Sequence, residues 1–219
     1  MDVVNLMKKY CTPGSTFIDI GANIGYETLW GASLVGPSGA VYAFEPIPRL
    51  VSQIKESISH NIFSNITIVP KACGGKEAVS TIYFHEEDAG LTSLANNTGS
   101  TQKTTVQVTT LDTELENVGH VSMIKVDVEG YEYEALLGGE KVIAKNKPYI
   151  IFEFSPHLYE KDYEGKSLKL LSFLSNNGYH IYFLDNLGVE IEKSMFRNMT
   201  TKVLEDETIP NCIASPVIL

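Results

Sequence analysis

Residues 16–25 read TFIDIGANIG, an apolar run that stops at two glycines before helix-forming residues resume. This pattern predicts a buried strand that turns sharply into a helix. Gly21 and Gly25 suit such a turn because glycine has no Cβ atom, so it adopts positive φ angles and lets the backbone approach a ligand. Asp19, at the end of the strand, is placed to accept hydrogen bonds from loop amides or from a ligand's ammonium group. The stretch therefore predicts a ligand-binding loop.

A second apolar run, at residues 40–44, ends at Glu45. An acidic residue at the tip of the second strand of a βαβ unit commonly binds both hydroxyls of a ribose. A dinucleotide fingerprint reads G-x-G-x-x-G, but Asn23 stands where the middle glycine would fall, so a pyrophosphate fits poorly. A nicotinamide-dependent oxidoreductase, which would bind a dinucleotide, is therefore the weaker of two interpretations of this loop. The D-x-G-x-N-x-G pattern instead resembles the cofactor loop of class I methyltransferases, which bind S-adenosylmethionine.

Composition narrows the class of protein. The chain has 219 residues, of which 43% are apolar, and a formal net charge of -10. One domain over residues 1–219 accounts for this length, and the acidic balance argues against nucleic acid as a substrate. Three widely spaced cysteines without a C-x-x-C pair argue against a disulfide framework or a structural zinc site. Because the sequence shows neither a signal segment nor a membrane-spanning apolar run, we expect a cytoplasmic protein that does not bind membranes.

Two later strands deliver acidic residues to the same edge of the predicted sheet. The run MIKV precedes Asp127, and YIIF precedes Glu153, with His157 shortly after. Since ligands of doubly wound sheets bind outside the carboxyl ends of the strands, Asp127 and Glu153 should face the reacting methyl group. Either carboxylate could take the proton of an acceptor hydroxyl. A divalent ion held by Asp127, Glu153 and His157 ranks second, because no tight ligand spacing supports it, and no metal is predicted.

The remaining segments complete an alternating pattern of strands and helices. Residues 66–69 are predicted as a third strand, and the turn after it, with Ala72, should lie near a bound adenine. Residues 79–110 are predicted as a small β-hairpin-like insertion, whose loop at 90–94 either reaches the ligands or is an ordinary surface loop. One helix is predicted over residues 131–144. A strand pair is predicted at residues 179–184 and after Gly188, and a final antiparallel strand at 211–215.

Six motifs follow one another along the chain: FIDIGANIGY, AFEP, GLTSL, TLD, IKVDVEGYE and PYIIFE. In order and spacing they resemble the FkbM family of S-adenosylmethionine-dependent methyltransferases, over nearly the whole chain from the first strand onwards. The resemblance implies an α/β, Rossmann-like class I methyltransferase fold: a seven-stranded, mostly parallel sheet with an antiparallel last strand and helices on both faces. It also implies methyl transfer to an oxygen, typically a hydroxyl of a sugar, a polyketide or another secondary metabolite.

This interpretation assigns two sets of site residues. The cofactor-binding set is Asp19, Gly21, Ala22, Asn23, Gly25, Glu45, Pro46, Ala72 and Asp127, and the catalytic set is Asp127, Glu153 and His157. The partner expected is a small-molecule or glycan acceptor with a hydroxyl group. The segment before the first strand is short for the family, which leaves two alternatives open. One is a non-catalytic S-adenosylmethionine-binding module that lacks an acceptor site, and the other is a homo-oligomer whose partner subunit covers the mouth of the site.

Overall fold

A computed structural model of the chain describes residues 2–84, 92–93, 102–156, 163–206 and 209–219. Its strands are β1 (Thr16–Ile20), β2 (Ala40–Phe44), β3 (Ile66–Val69), β4 (Ala72–Cys73), β5 (Ala78–Phe84), β6 (Thr92–Ser93), β7 (Gln102–Thr109), β8 (Val121–Val126), β9 (Tyr149–Glu153), β10 (His180–Phe183), β11 (Asn186–Glu190) and β12 (Asn211–Ser215). Its helices are α1 (Val3–Tyr10), α2 (Tyr26–Val35), α3 (Pro48–Ser59), α4 (Leu111–Glu114), α5 (Glu132–Leu137), α6 (Glu140–Asn146), α7 (Tyr163–Asn176) and α8 (Phe196–Glu205), with a short 3-10 helix at Lys193–Met195.

The main sheet has the strand order β11-β10-β12-β9-β8-β1-β2-β3. The pairs β1 with β2, β2 with β3, β1 with β8 and β8 with β9 are parallel. Strand β12 runs antiparallel to both β9 and β10. Central strands β1 and β8 are buried at every position, as expected where helices cover both faces of a parallel sheet. The predicted α/β fold, with its mostly parallel sheet and antiparallel last strand, is confirmed.

The outer edge of this sheet carries one strand more than the family's seven. Strand β11 pairs antiparallel with β10, with Phe183 opposite Asn186, so the chain reverses in a tight hairpin. Strands β10 and β11 form the predicted strand pair, but the second strand begins at Asn186, before Gly188, where the sequence predicted it to follow that glycine. Strand β11 is therefore an eighth strand added to the sheet.

The insertion forms a separate four-stranded sheet in the order β4-β7-β5-β6. Strands β5 and β7 pair antiparallel along their whole length, which is the hairpin predicted at residues 79–110. Strand β4 joins the sheet parallel to β7. Of the predicted loop at residues 90–94, only β6 lies within the described residues, and residues 90, 91 and 94 lie outside them.

The helix predicted over residues 131–144 is wrong as a single element, because it is divided into α5 and α6 at Gly138 and Gly139. At Gly138 the carbonyl oxygen of Gly74 comes so close that a Cβ atom would lie 2.1 Å from it. The Gly74 backbone therefore approaches the helix at a point where no larger residue fits.

Two apolar clusters occupy the two faces of the main sheet. Phe17 of β1 packs with the cluster that includes side chains of α1 and α2. Its neighbours Ile18 and Ile20 belong to the cluster beneath α5, α6, α7 and α8. The helices of the described part of the chain are all too short or too polar to cross a membrane.

Candidate active site

A cavity of about 310 Å³ opens at the carboxyl ends of β1, β2 and β8. Strands β2 and β8 flank β1 on opposite sides of the main sheet. Because the chain leaves β1 toward one side and later returns on the other, this is a topological switch point, where open α/β sheets bind ligands. Gly21, Glu45, Lys125, Asp127 and Tyr131 contribute to its wall.

The turn after β1 contacts the segment after β8 without space between them. Gly21 has a φ of 78°, and a Cβ atom on it would lie 1.9 Å from the carbonyl oxygen of Asp127. The amides of Gly21 and Ala22 both donate to the carbonyl oxygen of Phe44, at 3.0 Å each. Asn23 follows with a φ of 51°. Gly21, Ala22 and Asn23 line the cavity, as the sequence predicts, and the turn is tied to the strands on either side.

Glu45 joins the loops that follow β1 and β2. Its Oε2 atom accepts from the Asn23 amide and its Oε1 atom from the Ile47 amide, each at 2.9 Å. The residue lines the cavity although it is only 3% exposed, and burial raises the pKa of its carboxyl group to about 7. A carboxylate has about four acceptor positions, so each oxygen can accept one further hydrogen bond from a ligand.

Two residues of the predicted cofactor set do not reach the cavity wall. Asp19 alternates with Ile18 and Ile20, so its side chain points toward α2, where Oδ2 accepts from Thr28 Oγ1 at 2.5 Å. It is fully buried, and burial raises the pKa of its carboxyl group. Gly25 precedes α2 and packs against Ile54. Asp19 and Gly25 therefore lie behind the loop in this structure, and direct contact of either residue with a cofactor stays a prediction.

The insertion closes one side of the cavity. Ala72 and Cys73 of β4 line it, together with Ile82 of β5 and with Pro46. Ala72 and Pro46 thus lie where the sequence predicts. The contribution of Ile82 was not predicted, because the pairing of β5 with β7 gives no sequence signal for which face turns toward the cavity.

The acidic residues that follow β8 and β9 lie together at the rim of the site. Carboxylate oxygens of Asp127, Glu129 and Glu153 lie within 4.8 Å of one another. Glu153 Oε2 accepts from Ser155 Oγ at 2.8 Å. Burial, helped by the charge of Asp127, raises the pKa of Glu153 to about 6. Such a trio has the oxygen donors that hard cations prefer, so a divalent ion is still an alternative to a carboxylate base, with Glu129 in addition to the predicted Asp127 and Glu153. His157 lies outside the described residues.

Two further residues shape the site and were not among the predicted set. Lys125 lies in the cavity wall and its Nζ donates to the Gly21 carbonyl at 3.0 Å. Glu132 is fully buried, and its Oε1 accepts from the amides of Val128 and Gly130 at 3.2 and 3.1 Å. Burial raises the pKa of Glu132 to about 7. A lysine inside the apolar run MIKV is the signal that could have identified Lys125.

Comparison with known proteins agrees with this geometry. Residues 19–181, more than half of the chain, match the Methyltransferase FkbM domain. The hexuronic acid methyltransferase AglP of Haloferax volcanii is 26% identical over 164 residues, which cover 74% of this chain and 64% of that protein. A protein-L-isoaspartate O-methyltransferase of Methanococcoides burtonii is 38% identical over 58 residues, 26% of this chain and 29% of that protein. The matches span less than two thirds of the length of these curated relatives.

Solved structures show the same fold. The methyltransferase FkbM of Methylobacillus flagellatus KT superposes with a TM-score of 0.59 at 15% identity, covering 96% of this chain and 50% of that one. SMU.1697c, a putative methyltransferase of Streptococcus mutans in complex with SAH, gives a TM-score of 0.52 at 11% identity, covering 96% and 94%. The domain match and the fold around the switch point agree, and the chain belongs to the FkbM family of S-adenosylmethionine-dependent methyltransferases.

Proposed function

We propose that this chain transfers a methyl group from S-adenosylmethionine to a hydroxyl oxygen of a small molecule, a sugar or a polyketide-like acceptor. One observation carries the proposal. A cavity bounded by Glu45 on one side opens, at the switch point of the sheet, beside the carboxylates of Asp127 and Glu153. Glu45 suits the binding of a nucleoside, and the carboxylates of Asp127 and Glu153 suit the removal of a proton.

The donor side of the cavity has the chemistry that S-adenosylmethionine requires. Glu45 keeps acceptor positions for two ribose hydroxyls, and Phe44, Ala72 and Ile82 offer apolar contact to an adenine ring. Among the described residues, Asn23 Oδ1 is buried and accepts no hydrogen bond, so a polar group of a ligand would satisfy it. When bound, S-adenosylmethionine supplies an electrophilic methyl group on a sulfonium.

The acceptor side provides orientation and a base. Glu153, with a pKa of about 6, is ionised at neutral pH and still basic enough to accept the proton of a hydroxyl. Asp127, whose side chain is 40% exposed, lies beside it and can hold the same hydroxyl by a hydrogen bond. Positioning of two reactants contributes up to about 7–11 kcal/mol in well-oriented systems, and a general base about 10²–10⁴-fold in rate.

The acceptor class follows from charge and from a relative. AglP carries hexuronic acid in its name, which favours a sugar acceptor for this chain as well. Asp127, Glu129 and Glu153 crowd the rim with negative charge, so a neutral hydroxyl rather than a free carboxylate is expected to face them. Membership in a methyltransferase family also argues against the nicotinamide-dependent oxidoreductase.

The first test is calorimetric titration of the natural chain and of Glu45→Ala with S-adenosylmethionine and S-adenosylhomocysteine. Micromolar binding by the natural chain that is lost in Glu45→Ala supports the donor site. No binding of either ligand to the folded natural chain overturns the proposal, and a rise in melting temperature with NAD would point to the oxidoreductase instead.

The second test follows methyl transfer to a panel of hydroxylated sugars and polyketides. We expect Glu153→Gln to lower kcat by about 10²–10⁴-fold while S-adenosylhomocysteine still binds. Glu116→Gln, at an exposed position, is the matched control. Full turnover by both Asp127→Asn and Glu153→Gln would overturn the proposal that one of these carboxylates removes the proton of the acceptor hydroxyl. Donor binding without turnover on any acceptor would favour the non-catalytic module.

A further inference from the structure

Lys125 is a charged residue near the carboxyl end of a buried strand. It lies in β8 directly opposite Asp19 of β1, and its side chain is only 9% exposed. Its Nζ atom donates to the Gly21 carbonyl at 3.0 Å, and lies 3.7 Å from Asp19 Oδ1 and 3.5 Å from Asp127 Oδ2. One ammonium group therefore contacts β1, the turn after β1 and the segment after β8.

The surrounding carboxylates keep this ammonium charged. Burial by itself lowers the pKa of Lys125, but the charges of Asp19, Asp127 and Glu27 outweigh it and raise the pKa above its usual value. A buried ion pair gives little net stability compared with well-packed apolar side chains of similar size. Stability alone is therefore a weak reason for a lysine at this position.

We propose that Lys125 is a positioning residue of the donor site, a role that rests on the proposed methyltransferase function. By holding the Gly21 carbonyl it fixes the peptide that leads to Ala22 and Asn23, whose amides are bonded to Phe44 and Glu45. Through its ion pair it also holds Asp127, the acidic residue nearest to it on the acceptor side. Lys125 thus sets the donor-binding turn and the Asp127 carboxylate in a fixed relation to each other.

The competing explanation is that Lys125 only neutralises Asp19, which is fully buried. The two roles separate in a double variant. Lys125→Met keeps most of the length of the side chain but leaves Asp19 without its counter-charge. Adding Asp19→Asn removes that charge and keeps an oxygen that can accept from Thr28, so no buried charge at this pair is left uncompensated. Neither change restores the contacts to Gly21 and Asp127.

The experiment compares the natural chain, Lys125→Met and the double variant by thermal unfolding and by calorimetric titration with S-adenosylhomocysteine. We expect Lys125→Met to lower the melting temperature and the double variant to recover part of it. In both, the affinity for S-adenosylhomocysteine should fall by about 10- to 100-fold, since a hydrogen bond from a charged group to the donor-binding turn is lost. In steady-state assays with a sugar or polyketide of the panel that the natural chain methylates, KM for S-adenosylmethionine should rise more than KM for the acceptor.

Natural affinity in the double variant would overturn the positioning role and leave Lys125 as the counter-charge of Asp19. Natural affinity in Lys125→Met would overturn it as well. If Lys125→Met does not fold, the double variant alone decides between the roles. Failure of the natural chain itself to bind S-adenosylhomocysteine is a different result, because it overturns the proposed function before any variant is considered.

Discussion

The loop after β2 and the loop after β8 are each held by a buried glutamate that accepts hydrogen bonds from two backbone amides. Glu45 is 3% exposed and Glu132 is fully buried, and burial raises the pKa of each to about 7. Glu45 uses one oxygen for each amide, whereas Glu132 accepts both amides on Oε1. Glu45 lines the cavity and Glu132 does not.

This comparison separates two uses of one arrangement. At both positions the backbone amides compensate part of the cost of burying a carboxylate. At Glu45 the remaining acceptor positions face the cavity, so the same group shapes the loops and can also accept from the ribose of the proposed donor. At Glu132 the carboxylate shapes the loop that carries Asp127 and Glu129 to the rim. We expect access to the cavity, rather than chemistry, to distinguish a binding residue from a scaffold residue.

The strongest test disturbs the contact between the turn after β1, which Glu45 holds through the Asn23 amide, and the loop after β8. Gly21→Ala places a Cβ atom 1.9 Å from the Asp127 carbonyl oxygen at a φ of 78°. We expect it to lower the free energy of unfolding by about 3 kcal/mol or more, and to abolish S-adenosylhomocysteine binding. Denaturant titration and calorimetry measure both effects.

Gly178→Ala is the matched control for this prediction. Gly178 has a φ of 79°, but no atom outside its chain neighbours lies within 4 Å of an added Cβ, so this variant carries a positive φ without the clash. Equal losses of stability in Gly21→Ala and Gly178→Ala would show that the close approach of Gly21 to Asp127 contributes nothing.

A second test uses the raised pKa that Glu132 has in common with Glu45. The folded-state pKa of Glu132 is raised from 4.5 to about 7, so the folded chain binds the proton more tightly than the unfolded chain does. Its contribution to stability is therefore complete below about pH 4.5 and is lost as the pH rises through about 7. By linkage the loss amounts to about 3 kcal/mol. Glu132→Gln should remove that pH dependence while Oε1 still accepts both amides.

The measurement is the free energy of unfolding at a series of pH values between 4.5 and 8 for the natural chain, Glu132→Gln and Glu116→Gln. We expect the Glu132 variant to gain stability relative to the natural chain as the pH rises. The exposed Glu116 variant should run parallel to the natural chain. Parallel curves for all three chains would mean that burial of Glu132 does not perturb its ionisation.

The sequence predicted the parts of this site that depend on strand ends. Apolar runs that stop at Glu45, Asp127 and Glu153 indicated strands whose carboxyl ends share one edge, and β2, β8 and β9 end at or next to these residues. The direction of a side chain within a strand buried on both faces was not predictable, because both faces are apolar. Asp19 was therefore expected to accept from loop amides or from a ligand, and its bond with Thr28 of α2 was not predicted.

Contacts between distant segments were equally hidden. The pairing of Lys125 with Asp19 depends on the register between β1 and β8, which no local pattern encodes. The approach of Gly74 to Gly138 likewise joins segments far apart in the chain, although the adjacent glycines 138 and 139 are themselves a local signal for a helix break. Glu132 begins α5, where an acidic side chain is favourable in any case, and its bonds to the preceding loop needed coordinates.

A third test asks whether the two glutamates differ in ligand binding. Glu45→Gln leaves one of its two amides facing an NH₂ group, because each oxygen serves one amide. We expect S-adenosylhomocysteine affinity to fall by about 10- to 100-fold in Glu45→Gln and by less than about threefold in Glu132→Gln. Calorimetric titration of both variants gives the result. Equal losses would contradict the division into a binding residue and a scaffold residue.

The smallest loss of stability is expected where a carboxylate that accepts from two backbone amides lies near the surface. Asp112 accepts from the amides of Lys141 and Val142, at 3.2 and 3.0 Å, in the first turn of α6. Since this carboxylate is only partly buried, Asp112→Ala should cost about 1 kcal/mol, the usual value for losing such a helix-terminal acceptor. Asp112→Asn keeps one oxygen and should cost less. Denaturant unfolding of both variants measures these values. A loss of stability near 3 kcal/mol for Asp112→Ala would mean that hydrogen bonds from two backbone amides, rather than burial, account for the stabilisation expected of Glu45 and Glu132.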